Sequence, residues 1–291
     1  MTATYEASPV KRRRRTRAQL DALDDAIVAA VRTEHPVTLR GVFYRVVSAD
    51  AVEKTEAGYQ AVGRRLLELR RSGRIPYSWI ADGSRVVHRP ETWTGVDRML
   101  VDLSASYRRS LWHNQAAEVI VISEKDAISG VILPITYQWD VELAITRGYS
   151  SETFTHSIAQ SIIANDDLGK TTYVYQLGDH DPSGADAWRD FQDKVHRFAP
   201  GVSVHMQRIA VTPAQIDEFN LPTRPTKSTD TRAPKFAGDS VEVDAIAPTA
   251  LRAIVETAIT QHVDPTALRA VRIAEESERE GLRAMAAGWS V

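Results

Sequence analysis

Residues 171–184 read TTYVYQLGDHDPSG, and this stretch decides the fold class. Its first half, Thr171 to Leu177, is a short apolar run of β-branched type, which predicts a strand buried on both faces. Its second half places Asp179 and Asp181 directly after that strand. Ligands of open α/β sheets bind where the strands end, so we expect a polar site at the carboxyl edge of a sheet.

Other strands and helices are predicted on both sides of that stretch. Apolar runs indicate further strands at 118–123 (EVIVIS), around 141–146 and at 202–211. Helical segments separate or follow them near 152–164, 182–197, 248–262 and 265–287. Strands that alternate with helices favour a mostly parallel α/β sheet.

The first third of the chain has a different pattern. Three amphipathic helices are predicted. The first covers residues 17–34, the second begins after Thr38 as its cap, and the third covers residues 55–72. Residues 75–87 then predict a hairpin that turns at Asp82-Gly83, and three helices with a hairpin make a winged helix-turn-helix. We therefore divide the chain into a flexible basic arm (1–16), a winged-helix domain (17–95), a connecting helix (96–116) and an α/β domain (117–291).

The charge is distributed unevenly. Residues 1–109 have seven more basic than acidic residues, whereas residues 110–291 have nine more acidic than basic ones. The first part therefore suits a polyanion such as double-stranded DNA, and the second would repel DNA unless some carboxylates hold cations. We expect the third helix to contact DNA through Arg64, Arg65, Arg70 and Arg71. The alternative is that these arginines form a solvated helix face.

Cysteine is absent and no apolar run approaches the length of a membrane span. Disulfides and thiolate zinc sites are therefore excluded, and hard cations are favoured. The basic N-terminal stretch is not followed by the apolar core of a signal peptide, so an intracellular, cytoplasmic setting is expected.

Three carboxylates form a candidate metal site. Asp181 before Pro182 is typical of a helix start, but capping does not account for Asp179. Two carboxylates one residue apart repel each other unless a cation lies between them. Glu124 follows the strand at 118–123 and completes three oxygen ligands at one sheet edge, which predicts Mg²⁺.

These residues resemble those of a known family. A glutamate after one strand and Asp-x-Asp after a later one is similar to the Toprim fold. The sequence GDHDPSG at 178–184, with a winged helix upstream, resembles the A subunit of topoisomerase VI and its meiotic double-strand-break relatives. Thr38 to Tyr44 (TLRGVFY) is similar to that family's motif, as is VEVDAI at 241–246 to its closing region. The resemblance covers most of residues 30–260.

The resemblance implies an activity and its residues. Tyr44 would be the nucleophile, with Arg40 beside it and the metal on Glu124, Asp179 and Asp181. The protein would be an enzyme of the isomerase class that breaks DNA strands by transesterification. The tyrosine would become covalently linked to a 5′ end of the DNA. A homodimer would cut both strands, each tyrosine meeting its partner's metal site.

The chain departs from that family in two ways. It is shorter than a typical A subunit and resembles the compact forms called Mini-A, and Phe43 stands where a second tyrosine is frequent. It has no glycine-rich phosphate loop followed by lysine, so nothing in it supplies ATP binding. The resemblance implies a separate ATPase subunit of B type as a candidate partner, and the two departures leave the dependence on that subunit open.

Elementary chemistry is consistent with this assignment and leaves alternatives open. A phenol has a pKa of about 10 and needs a nearby cation to react at neutral pH. Arg40, one helical turn from Tyr44, would stabilise the phenolate or hold the phosphate. Alternatively, Tyr44 is a packing residue and water is the nucleophile of a metal-dependent nuclease. A third hypothesis is a DNA-binding protein without activity, whose acidic cluster is structural.

Overall fold

The structure, a computed structural model, describes residues 15–81, 90–225, 236 and 238–289. Within these residues the fold is mixed α/β, with ten α-helices and one four-stranded sheet in which all strands are parallel. The helices are α1 (Arg17–Glu34), α2 (Leu39–Ser48), α3 (Glu56–Arg71), α4 (Val96–Ser106), α5 (Asp126–Gln138), α6 (Glu152–Asp167), α7 (Pro182–Phe198), α8 (Pro213–Glu218), α9 (Pro248–Thr260) and α10 (Pro265–Trp289).

The parallel sheet confirms the strands predicted from apolar runs. Its order is β2-β1-β3-β4, and the strands are β1 (Ala117–Ser123), β2 (Glu142–Ile145), β3 (Thr171–Leu177) and β4 (Val204–Ala210). β1 and β3 are central, and Ser123 lies opposite Leu177 in their register. The residues that follow these two strands therefore emerge side by side at the carboxyl edge.

Helices cover both faces of the sheet, which is why the central strands are apolar throughout. Val119 and Val121 of β1 belong to a core that includes residues of α5 and α9. Ile120 and Ile122 face the opposite way, into a core that includes residues of α6 and α7. Burial on both faces favours continuous β-branched runs over alternation.

The three predicted N-terminal helices are present as α1 to α3 and share a separate core. On α2, Val42, Phe43 and Val46 are buried in that core, as expected. Tyr44 is also buried, but it belongs to the core of the sheet. α2 therefore contacts both cores.

The predicted hairpin is described only in its first half. Tyr77–Trp79 form a single 3₁₀ turn rather than a strand, and Ile80 makes a parallel bridge with Val37. The turn at Asp82-Gly83 and the second half of the hairpin lie outside the described residues, as does most of the basic arm.

Residues 240–246, the linking segment, connect α2 with the sheet edge. Val241 pairs through its backbone with His180, and Val243–Ala245 form a 3₁₀ turn. Arg45 of α2 donates to the carbonyl of Ala245. The linking segment thus contacts both α2 and the sheet edge.

α4 packs against the long helix α10. In the part of the chain that the structure describes, no helix combines the length and the apolar character required for crossing a membrane.

Candidate active site at the carboxyl edge of the sheet

The acidic turn, residues 178–184, joins β3 to α7. Asp181 caps α7 as the sequence predicts: its Oδ1 accepts from the Gly184 amide at 2.7 Å, and Pro182 opens the helix. Arg208 of β4 donates to the carbonyls of Asp179, at 2.9 Å, and Gly184, at 2.8 Å. These bonds hold both ends of the turn in place.

Glu124 lies against the acidic turn because β1 and β3 are neighbours. Its Oε2 accepts from the Asp179 amide at 3.3 Å. Burial raises the pKa of Glu124 above its usual value, and the charges of Asp179 and Asp181 raise it further. The structure therefore places Glu124 beside the turn that carries Asp179 and Asp181, the other two predicted metal ligands.

Asp179 is fixed by contacts on one of its carboxylate oxygens. Only 9% of the residue is exposed. Its Oδ1 accepts from the Val243 amide at 2.9 Å and pairs with Lys125 Nζ at 2.8 Å. Burial raises the pKa of Asp179, and the opposing effects of Lys125 and Val243 do not bring it back to its ordinary value.

Lys125 is a residue of this site that sequence reasoning missed. Its ammonium group contacts Asp179, Asp244 at 3.2 Å and Glu242 at 3.4 Å. Burial would lower the pKa of Lys125, but the three carboxylates outweigh burial and raise it. A signal existed: Lys125 directly follows the candidate ligand Glu124, and the alternation in VEVDAI puts Glu242 and Asp244 two residues apart.

The donor set suits a hard cation. Within the described residues, no group of three His, Cys, Asp or Glu side chains is already arranged to hold a metal. Part of the repulsion expected around Asp179 is instead relieved by the Lys125 ammonium group. Glu124, Asp179 and Asp181 nevertheless supply only oxygen donors. Burial is the main cause of the raised pKa of Glu124, and the charges of Asp179 and Asp181 add a repulsion that a divalent ion would relieve.

Arg40 connects α2 with the acidic cluster. Its guanidinium group is ion-paired with Glu242. Burial would raise the pKa of Glu242, but Lys125 and Arg40, with a contribution from Arg224, hold it below its usual value. Thr38, the N-cap of α2, also donates to Asp244 Oδ1 at 2.7 Å. The helix that carries Tyr44 is therefore attached to the residues around Lys125.

Tyr44 is buried in this conformation, with only 5% of the residue exposed. Lys54 Nζ lies 5.5 Å from the centre of its ring and donates to the carbonyls of Pro222 and Thr223, both at 3.1 Å. Burial raises the pKa of Tyr44 to about 12, with Glu242 adding to the effect and Arg40 opposing it. The phenol is thus protonated at neutral pH.

A cleft of about 840 Å³ lies between α2, α3 and the sheet edge. Sequence reasoning missed two of its arginines: Arg147, in the loop after β2, and Arg224, which pairs with Glu242 at 3.2 Å. The charged residues lining the cleft are Arg40, Arg70, Glu124, Lys125, Asp126, Arg147, Asp179, Arg224, Glu242 and Asp244. Cations and carboxylates thus share its walls.

The four predicted DNA-contact arginines have different surroundings. Arg65 forms two hydrogen bonds with buried Asp24, at 2.6 and 2.7 Å. Arg70 lines the cleft, and its buried Nε has no hydrogen-bond partner among the described residues. Arg64 and Arg71 are exposed. Arg65 is therefore engaged within the protein, whereas the other three face the surface or the cleft.

Comparison with known proteins adds no assignment: no family model matches the chain, and no curated protein matches it.

Proposed function

We propose that this protein cleaves double-stranded DNA in a Mg²⁺-dependent reaction with Tyr44 as nucleophile, the chemistry that its resemblance to topoisomerase VI A subunits implies. One observation carries the proposal: the ion pairs from Arg40 through Glu242 and Lys125 to Asp179 join the helix of Tyr44 to the acidic turn. A nucleophile helix and a metal-ligand set beside one cleft are what such a transesterase requires.

The same proposal includes the finer fold assignment. We infer that α1 to α3 and the residues after them form a winged helix, and that the sheet is of Toprim type. Support comes from the strand order, which makes β1 and β3 neighbours, and from Glu124 and the acidic turn at their ends.

Glu124, Asp179 and Asp181 would hold the magnesium ion. Held there, it would supply charge neutralisation at the phosphate and the leaving oxygen. Arg40 offers a planar set of donors on the wall of the cleft, which suits the non-bridging oxygens of the same phosphate.

In the covalent step, the Tyr44 oxygen bonds to phosphorus and the bond from phosphorus to the 3′ oxygen breaks. The phenol loses its proton and the leaving 3′ oxygen gains one, so a 5′ phosphotyrosine and a 3′ hydroxyl result. Tyr44 is 5% exposed and Lys54, which is bonded to the carbonyls of Pro222 and Thr223, lies over its ring, so DNA binding has to uncover the hydroxyl before it reaches a phosphate.

The second candidate function is DNA hydrolysis by water at the same acidic turn. The burial of Tyr44 favours it, because a side chain with 5% exposure has no direct access to DNA in this conformation.

One experiment separates these functions. The protein is incubated with supercoiled DNA and Mg²⁺, stopped with denaturant, and analysed for cut DNA and for protein attached to 5′ ends. The variants are Tyr44→Phe and Asp179→Asn, with Tyr107→Phe, a tyrosine bonded to Glu278 away from the cleft, as control. Transesterification predicts that, of the three variants, only Tyr107→Phe cuts DNA as the wild type does.

Hydrolysis predicts cutting by Tyr44→Phe, no cutting by Asp179→Asn, and no attached protein. Wild-type protein that binds DNA without cutting it would contradict both candidates and leave a DNA-binding role.

A further inference from the structure

We propose that Lys125 is a positioning residue whose ammonium group takes the place of a cation among Asp179, Glu242 and Asp244. It thereby holds the linking segment, and with it α2, against the acidic turn. This cation role is argued from contacts alone, whereas its consequence for DNA cleavage rests on the proposed function.

The contacts of Lys125 identify it as the centre of the cluster. Its Nζ lies 2.8 Å from Asp179, 3.2 Å from Asp244 and 3.4 Å from Glu242. These carboxylates are withdrawn from water: the side chains of Asp244 and Glu242 are 1% and 6% exposed. Buried carboxylates stay ionised only when a cation or hydrogen-bond donors compensate them.

Other cations do not duplicate this role. Glu242 also pairs with Arg40 and Arg224, but within the described residues Asp179 and Asp244 form ion pairs with Lys125 alone. Removal of the ammonium group would therefore leave two buried carboxylates without a counter-charge, and the breaking of a buried pair is strongly destabilising.

The same geometry connects the two cores. Asp179 belongs to the acidic turn, Asp244 accepts from the N-cap of α2, and Glu242 pairs with Arg40. One ammonium group thus contacts a candidate metal ligand and the two carboxylates that are bonded to α2. A loss of Lys125 should loosen all three connections together.

A consequence for metal binding follows from charge. Without Lys125, the clustered carboxylates form an attractive site for a divalent ion, so stability should become more dependent on Mg²⁺ than in the wild type. A merely structural lysine would not show this dependence.

The test compares thermal midpoints in EDTA and in MgCl₂ for Lys125→Met, which keeps length without charge, and Lys125→Arg. The matched control is Lys170→Met, because Lys170 is similarly buried and pairs with Glu118 at the opposite end of β1. Lys125→Met should melt about 5 °C or more below wild type in EDTA, and Lys125→Arg should recover most of that loss.

Mg²⁺ should raise the midpoint of Lys125→Met by about 3 °C or more beyond its effect on wild type and on Lys170→Met. An equal effect on all three would overturn the inference. If Lys125→Met does not fold, the comparison is made between Lys125→Met/Asp244→Asn and Asp244→Asn, where the double variant should show the larger gain.

The two proposals fail separately. A wild-type protein that cuts no DNA, together with a Mg²⁺-dependent Lys125→Met, removes the proposed function and supports the role of Lys125. DNA cleavage by the wild type without extra Mg²⁺ dependence in the variant removes the role of Lys125 alone.

Discussion

At the scale of single residues, Gly178 sets how closely Glu124 approaches the acidic turn. A Cβ at this position would lie 2.4 Å from Gln176 Nε2 and 2.5 Å from Glu124 Oε2, closer than real Cβ atoms come, so both side chains would have to move. At Gly281, in the interior of α10, a Cβ would have open space around it. The two glycines therefore differ in what a methyl group would meet.

Gly178→Ala should displace the Glu124 carboxylate, lower the free energy of unfolding by about 1–3 kcal/mol, and raise the Mg²⁺ concentration needed for half-maximal DNA cleavage. Gly281→Ala should instead stabilise the protein by about 0.5–1 kcal/mol, because alanine favours a helix interior. Urea unfolding measures the stability of both variants, and a Mg²⁺ titration of cleavage measures the Mg²⁺ requirement of Gly178→Ala. An unchanged Mg²⁺ requirement in Gly178→Ala would argue against close contact with Glu124.

The buried phenol of Tyr44 predicts a dependence of stability on alkaline pH. Its pKa is about 12 in the folded state against about 10 when exposed. Because the folded value is the higher one, the contribution to stability is complete below about pH 10 and is lost as the pH rises towards 12. This contribution is about 3 kcal/mol in all, of which about 2 kcal/mol is lost by pH 11.5.

Between pH 9 and pH 11.5, we expect the free energy of unfolding of the wild type to fall by about 2 kcal/mol more than that of Tyr44→Phe. Urea unfolding of both proteins across this range measures the difference, and the other tyrosines cancel because both proteins contain them. A difference that stays constant would mean that the Tyr44 hydroxyl is exposed in solution.

At the scale of elements, α2 depends on the linking segment for its position. Thr38 caps α2 by accepting from the Gly41 amide and also donates to buried Asp244. Thr55 caps α3 by accepting from the Gly58 amide. The two threonines are therefore matched caps that differ in the bond to Asp244.

Thr38→Ala should lower the free energy of unfolding by about 2–3 kcal/mol, and Thr55→Ala by about 1 kcal/mol. The excess comes from Asp244, which loses a donor while buried. Thr38→Ser keeps the hydroxyl and should restore most of the stability in the same urea assay. Equal losses at both caps would show that the bond to Asp244 contributes nothing.

The packing of α1 against α3 separates two of the arginines predicted to bind DNA. Arg65→Ala should destabilise the protein by about 3 kcal/mol, because Asp24 is buried and loses its two closest bonds. Arg71→Ala should leave stability within about 0.5 kcal/mol and weaken DNA binding. Calorimetry measures the stability of both variants, and the salt dependence of DNA affinity measures their DNA binding. A stable Arg65→Ala with weak DNA binding, together with an unstable Arg71→Ala, would mean that Arg65 binds DNA and Arg71 stabilises the fold.

At the scale of the whole molecule, the helix of Tyr44 and the acidic turn belong to the same chain and are joined by ion pairs. This arrangement predicts that the tyrosine acts on DNA bound at its own acidic turn. The sequence resemblance implies the other arrangement, in which each tyrosine meets the metal site of its partner.

In the homodimer that the resemblance implies, a mixture of Tyr44→Phe and Asp179→Asn, exchanged into mixed dimers, should therefore cut no DNA. If tyrosines act on the partner's acidic turn, each mixed dimer contains one intact site and produces nicked circles from supercoiled DNA. The gel pattern of the mixture, compared with each variant alone, distinguishes the two arrangements.

Much of the fold was predictable because its signals are local. The apolar runs of β1 and β3, the periodicity of α1 to α3 and the cap formed by Asp181 each depend on neighbouring residues. The gathering of Glu124 with Asp179 and Asp181 also follows, because parallel strands that are adjacent in the sheet end at one edge.

The sequence by itself determined the α/β class, most of the helices and strands, and the carboxylates at the sheet edge, since period and propensity act over a few residues. Only the tertiary structure decided that Lys125 lies among Asp179, Glu242 and Asp244, that Tyr44 is buried, and that Arg65 is held by Asp24. Arg40 and Glu242 are 202 residues apart, and no local pattern states which distant charge will compensate a buried one. That choice depends on which segments pack together and on the exclusion of water between them.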